Sequence, residues 1–283
     1  MLAEDAFFDL ADHAARALRG GQSLLASLAG ERTDFVRWNH ARVRQATTVE
    51  QAVLRLTVLE GSRRDATSLT LSGVPEEDRA RVASAVARLR STLPDVPEDP
   101  YLLVSTEPGA TRRVERGELP SPAEMVDVIA AAGAGTDLVG IASSGAIVRG
   151  FASSFGHRHW HEVESFQLDW SLHHDPARAV STTFAAARWD AEALRASMDS
   201  AQRKLADLAL PMVTPPPGAV RAWLSPAAMG ELMTLLAWGG LSTKAQRTKT
   251  SALQRLADGE ERLSPLVTLR EATARGLAPA FDD

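Results

Sequence analysis

Hydrophobic residues at the head of the chain follow a helical period. Phe7, Leu10, Ala11, Ala14 and Leu18 fall on one face of a 3.6-residue turn, which predicts an amphipathic helix, and Gly20-Gly21 interrupts it before Leu24 and Leu25. The period then changes to two. Val36 and Trp38 alternate with Arg37 and Asn39; Leu54, Leu56 and Val58 alternate with Arg55 and Thr57; Thr67, Leu69 and Leu71 alternate with Ser68 and Thr70. Successive side chains on a strand point to opposite faces, so this pattern predicts half-buried strands joined by short turns such as Glu60-Gly61. Helical spacing returns near Glu76, where Val82, Val86, Leu89 and Leu93 form one stripe.

Residues 94–120 are rich in proline, glycine and charge, and predict a long surface connection. Ser121-Pro122-Ala123-Glu124 then offers a capping box with proline at the first helical position. A second strand-rich block follows, with residues 138–141 and 146–153 on either side of an expected Ser-Ser-Gly turn at 143–145. Phe166, Leu168, Trp170 and Leu172 alternate with polar residues, as do Val180, Thr182 and Phe184. Asp190 is placed to cap a helix with the stripe Leu194, Met198, Ala201, Leu205 and Leu208. The run Pro215-Pro216-Pro217-Gly218 can continue neither a helix nor a central strand and marks the clearest boundary. Beyond it, residues 219–224 predict a strand. Ser225-Pro226 opens a helix with Met229, Leu232, Met233 and Leu236 on one face, closed by Gly239-Gly240. Strands gathered in runs make the fold class α+β, with largely antiparallel sheets and flanking helices. The expected domains are residues 1–214 and 215–283.

Composition narrows the function classes. The chain has 283 residues, 45% apolar and 24% charged, enough to bury a sizeable core. Its net charge of -5 speaks against a general affinity for nucleic acid or an anionic membrane. There is no cysteine, which excludes disulfides, thiolate metal sites and a cysteine nucleophile. Residues 1–20 carry acids among the apolar positions and do not read as a signal peptide, and no apolar run approaches the ~18 residues of a membrane span. A cytoplasmic location is the expectation.

Several segments resemble the TldD/PmbA family, in which a zinc-bearing TldD chain pairs with a zinc-free TldE (PmbA) chain. Phe35-Val36-Arg37-Trp38-Asn39 with Arg42-Val43-Arg44-Gln45 looks like the family's first strand pair, and residues 150–156 (GFASSFG) are similar to its middle strand and turn. The most specific piece runs from Pro217-Gly218 through Leu224-Ser225-Pro226-Ala227-Ala228 into the next helix. Gly239-Gly240-Leu241-Ser242, Arg247-Thr248-Lys249-Thr250-Ser251, Leu263-Ser264-Pro265, Val267-Thr268-Leu269 and Phe281-Asp282-Asp283 resemble the TldE branch. The resemblance implies a TldD/PmbA N-terminal-type domain followed by the start of a second domain. In the zinc-bearing branch an H-E-x-x-x-H motif supplies two imidazoles about one helical turn apart and a glutamate base. Here that motif falls on Thr234-Leu235-Leu236-Ala237-Trp238-Gly239, and residues 226–250 contain no histidine. The family's further ligand is a cysteine, which the chain lacks. The resemblance therefore implies no catalytic or metal-binding residue in this chain, and zinc, with a peptide substrate, on a TldD-type partner. Family members usually run on past the Phe-Asp-Asp segment into a large sheet domain. The expectation is thus a truncated product or a domain supplied by another chain.

Other constellations carry weaker chemistry. Five histidines lie between residues 157 and 174, namely His157, His159, His161, His173 and His174; the first three would share one face of a strand and, together with Glu162 or Asp175, could bind a transition metal, while a solvated strand end is the plainer reading. Ala142-Ser143-Ser144-Gly145-Ala146 lacks the G-x-S-x-G pattern of a nucleophile elbow, and Ala132-Gly133-Ala134-Gly135-Thr136 lacks the G-K-[ST] ending of a phosphate loop. Arg37, Arg42 and Arg44 suit either a carboxylate contact or the solvated face of a sheet. Three readings stay open: a non-catalytic subunit of a TldD/TldE-type peptidase complex, an independent metal-dependent hydrolase using the histidines between His157 and His174, and a decayed relative without function.

Overall fold

Four strands of 17 to 19 residues dominate the architecture. The structure, a computed structural model, describes residues 2–282; Met1 and Asp283, the outer ends of the two expected domains, lie outside the described residues. One unit comprises α1 (Glu4–Arg16), β1 (Gln22–Asn39), β2 (Arg42–Glu60), β3 (Arg63–Thr70), α2 (Pro75–Thr92), β4 (Ala110–Glu115), α3 (Pro122–Ala132), β5 (Asp137–Ser153), β6 (Arg158–Asp175), β7 (Arg178–Ala186) and α4 (Ala191–Asp207). Residues 273–282 also belong to it. The second unit comprises residues 97–105 and 213–272, with α5 (Pro226–Ala237) and the short α6 (Thr243–Arg247) and α7 (Gln254–Ala257). No helix among the described residues is long and apolar enough to cross a membrane.

The fold is α+β. The strands form a 7-stranded sheet in the order β3-β2-β1-β5-β6-β4, with β7 pairing β6 as well. All pairings are antiparallel except β4 with β6, so the outer edge of β6 is shared between β4 beside 158–163 and β7 beside 166–175. At about 3.3 Å per residue the long strands run roughly 60 Å, more than twice the length of α1 or α4. One helix pair cannot cover such a sheet. Two apolar clusters result. Leu24, Ala26, Leu28, Leu54, Leu56, Val58 and Val148 pack with Phe7 and Leu10 of α1 and Val82, Val86 and Leu89 of α2. Val36, Trp38, Leu138, Ala142, Leu168, Trp170 and Leu172 pack with Met125 and Ile129 of α3 and Leu194, Met198 and Ala201 of α4. These strand residues carry even numbers and pair across the register, so both clusters lie on the same face of the sheet.

Glycines on β5 make room for the anchors. A Cβ at Gly150 would stand 2.8 Å from the Phe7 ring, and one at Gly140, whose partners are Trp38 and Trp170, would stand 3.0 Å from the Trp170 side chain. The expected caps also form. Ser121 Oγ accepts from the Glu124 amide, Asp190 Oδ1 from the Ala193 amide and Ser225 Oγ from the Ala228 amide.

The structure departs from the sequence reading at five places. First, β1 begins at Gln22, well before Val36, because alanines and a glycine among residues 26–30 disguise the alternation. Second, its hairpin to β2 turns at His40-Ala41, both at positive φ (50° and 53°), where Asn-Gly is the usual signal. The turn is tied down by His40 Nδ1 to Asp137 Oδ1 at 2.7 Å and by the Ala41 amide donating to Leu138 O at 2.9 Å. Third, residues 143–145 are not a turn; β5 runs straight through them with Gly145 opposite Thr33. Fourth, the connection over 94–120 contains β4, whose sequence Ala-Thr-Arg-Arg-Val-Glu carries too much charge for a strand signal. Fifth, residues 219–224 are irregular and exposed; a strand needs a neighbour to take its backbone hydrogen bonds, and among the described residues none pairs with it.

A Cβ at Gly145 would come within 2.1 Å of the Arg32 carbonyl oxygen, because neighbouring backbones approach closely there. Gly145→Ala is expected to destabilise the fold by about 1–3 kcal/mol through overpacking, read as a lowered thermal midpoint. A hairpin turn at this position would have left the substitution nearly neutral.

Candidate functional site

With α1 to α4 all packed on the even-numbered face, the opposite face of the sheet is free of helices from this unit. Its side chains are largely polar. On β1 and β2, Glu31 accepts from Thr33 Oγ1 and from Gln51; on β6 and β7, Asp169 accepts from Gln167 and Thr183. At one end this face carries the three histidines singled out from the sequence. His157 stands just before β6, and His159 and His161 lie on it, all three buried and on the same side.

The rings form part of an aromatic row. His157 and His159 are stacked with centroids 5.9 Å apart, and Phe151 of β5 lies 5.7 Å from His157 and 6.1 Å from His159. Each imidazole has a hydrogen-bond partner: His157 Nδ1 with Ser153 Oγ at 2.6 Å, His159 Nδ1 with Thr111 Oγ1 of β4 at 2.9 Å, and His161 Nε2 with the Leu277 carbonyl at 3.0 Å. A carbonyl can only accept, so Nε2 of His161 carries the proton. Its Nδ1 is buried with no partner. Burial pushes His159 below the usual histidine range, and neighbouring His157 adds to the effect. Burial also lowers His161; the Leu277 carbonyl and Glu115 oppose the shift, while Arg113 and Arg149 reinforce it.

The C-terminal segment lies across this row. Phe281 stacks on His159 with centroids 5.1 Å apart and on Phe151 at 6.5 Å. Arg113 of β4 is fixed by Nε donating to Glu115 at 2.7 Å, and its two terminal nitrogens donate to the carbonyls of Thr273, Gly276 and Ala278. Nothing in the spacing of the sequence marks Arg113 or Thr111 as members of the site, because a parallel edge strand reached by a long connection brings them there. Phe281 was visible only as part of the Phe-Asp-Asp motif, of which Asp283 lies outside the described residues.

The expected metal site does not assemble from the whole histidine segment. His173 and His174 sit twelve and thirteen residues beyond His161 on β6, about 40 Å away at strand rise. His173 Nε2 is paired with Ser171 Oγ there. Among the described residues no group of three or more His, Asp or Glu side chains is arranged to hold a metal ion. Ser143 and Ser144 lie within β5, not on an exposed elbow, and Arg37, Arg42 and Arg44 are exposed. Gly133 and Gly135 form the expected helix end and turn after α3, with Gly135 at φ 76°.

In the second unit, α5 exposes its apolar stripe. None of its residues is buried, and Leu235 and, just past its end, Trp238 are 73% and 87% exposed. Residues 234–237 form its last turn, and Gly239 beyond it adopts φ 79°. Thr234, Leu235, Leu236, Ala237, Trp238 and Gly239 offer zinc no ligand.

No protein-family model matches the sequence, and no curated protein matches it. Solved structures do match the fold. TldE from Thermococcus kodakarensis superposes with a TM-score of 0.55 at 14% identity, over 71% of this chain and 47% of its own. A proposed modulator of a DNA gyrase from Thermotoga maritima gives 0.63 at 15% identity, over 88% of this chain and 58% of its own. A second proposed gyrase modulator, from Bacteroides thetaiotaomicron, gives 0.58 at 12%, over 89% of this chain and 61% of its own. The chain thus spans between 47% and 61% of the length of these three structures. It has the fold of TldE, which is also where the sequence motifs point.

The lowered histidines set a direction for pH. A folded-state value below the unfolded ~6.5 means that the stabilisation is fully present above that pH and is lost as pH falls through the lowered values. The urea midpoint is therefore expected to drop between about pH 7.5 and pH 5. His159→Phe, which keeps the stack with Phe281 and removes one titrating group, is expected to show a smaller drop.

Proposed function

We propose that the chain is a TldE-type, zinc-free subunit that pairs with a zinc-bearing TldD-type peptidase and helps hold an extended peptide for hydrolysis by that partner. The observation that carries this reading is the side-chain content of α5. Zinc catalysis of the family's kind needs two imidazoles on one helix face and a carboxylate to activate water. The only ionisable residue on α5 is Glu231, and the chain has no cysteine. Hydrolysis therefore draws on the partner's zinc and glutamate, and this chain contributes binding surface.

Two features support that role. The exposed apolar side chains of α5, with Trp223 and Trp238 nearby in sequence, make the kind of surface that a protein partner covers. The long sheet ends in β3, a strand with a single strand neighbour, and an extended peptide can add to such an edge through main-chain hydrogen bonds.

The test begins with the tagged chain purified from its own cells. A near-stoichiometric companion bearing H-E-x-x-x-H is expected, and the reconstituted pair should hydrolyse peptides only with zinc present. Glu231→Gln in this chain should change that rate by less than about twofold, while replacing the motif glutamate of the companion should abolish it. A chain that stays soluble and monomeric, with no such companion, overturns the reading.

A further inference from the structure

The hold on residues 273–282 is unequal in its two halves. The acceptor side is built into the sheet: Phe151, His157, His159 and His161 are all buried, and the Arg113 fork is held by Glu115. The segment itself belongs to no helix or strand, and none of its residues is buried. Arg113 and His161 together take four main-chain carbonyls, those of Thr273, Gly276, Leu277 and Ala278. Main-chain carbonyls are common to every peptide, so these contacts recognise a backbone path. Two positions add selectivity. Gly276 adopts φ 77°, a left-handed conformation that favours glycine. Five residues later Phe281 fills the stack formed by Phe151 and His159.

We propose that Arg113, His161, His159 and Phe151 form a peptide-binding site in its own right, and that residues 273–282 are its resident, displaceable occupant. The site takes a peptide with a glycine that can turn left-handed and an aromatic residue five positions further on. It reads the intervening backbone through the guanidinium fork and the His161 N–H, as a planar five-donor group is suited to do. A peptide in trans competes with residues 273–282, so the occupied and open states of this face exchange by displacement. This inference goes beyond the zinc-partner reading and does not need it; the site lies wholly on residues of this chain.

The experiment uses the full chain and a fluorescein-labelled peptide of residues 273–282, followed by fluorescence anisotropy. In the wild type the attached segment competes, and binding in trans is expected to be weak. Phe281→Ala in the chain loosens that competitor, and the labelled peptide is expected to bind at least about fivefold tighter. Adding Arg113→Met to that background should remove the gain; Arg113→Lys, which keeps the charge and loses the fork, serves if Arg113→Met fails to fold. A peptide with alanine in place of Phe281, or with alanine in place of Gly276, should bind at least about tenfold more weakly. The proposal is overturned if a folded Phe281→Ala chain binds the peptide no better than wild type. It is equally overturned if binding is indifferent to Arg113. Because neither zinc nor a companion is present, a negative result removes this site and leaves the subunit reading standing.

Discussion

The length of the four central strands is the constraint from which the rest follows. A sheet some 60 Å long cannot be covered by one pair of helices, and a pleated strand alternates its side chains strictly between faces. The chain meets both conditions by placing α1 with α2 over one end and α3 with α4 over the other, always on the even-numbered face. A single one-residue slip between β1 and β5 would move Leu24, Ala26, Leu28, Val36 and Trp38 to the wrong side together. The close approach at Gly145 and the aromatic seats at Gly140 and Gly150 resist such a slip, since only that register puts the missing side chains where neighbours need the space.

Covering one face leaves the other available. Its middle is polar and hydrogen-bonded within itself, and its end beside β4 is aromatic and imidazole-rich. That end is where the C-terminal segment lies, held by carbonyl contacts and one phenyl ring. The imidazoles are stacked, buried and individually paired, and burial biases His159 and His161 towards the neutral form. The unpartnered Nδ1 of His161 explains why a second proton is unwelcome there: it would be buried without an acceptor, close to Arg113 and Arg149.

The second unit poses a different problem. Its helix α5 has the capping serine, the proline at the first turn and the glycine stop of a well-formed helix, yet it buries none of its apolar side chains. Local signals were sufficient to form the helix, while Met229, Leu232 and Leu236 of its stripe remain more than two-fifths exposed.

Much of the fold was legible because the deciding signals are local. Alternation at Leu54, Leu56 and Val58 or at Phe166, Leu168, Trp170 and Leu172 fixes a strand and its buried face, and Ser121, Asp190 and Ser225 fix three helix starts. What sequence alone left undecided depends on neighbours distant along the chain. Residues 143–145 pass as a turn until β1 and β6 flank them, and Thr-Arg-Arg-Val passes as a connection until it lies parallel to β6. Five histidines close in sequence suggest one cluster; an extended strand instead carries His173 and His174 to the far end. The site on the open face unites β4, β5, β6 and residues 273–282, separated by up to 165 positions. Only folding brings them together, because contacts of that kind are set by sheet register and chain return, and neither has a local signature.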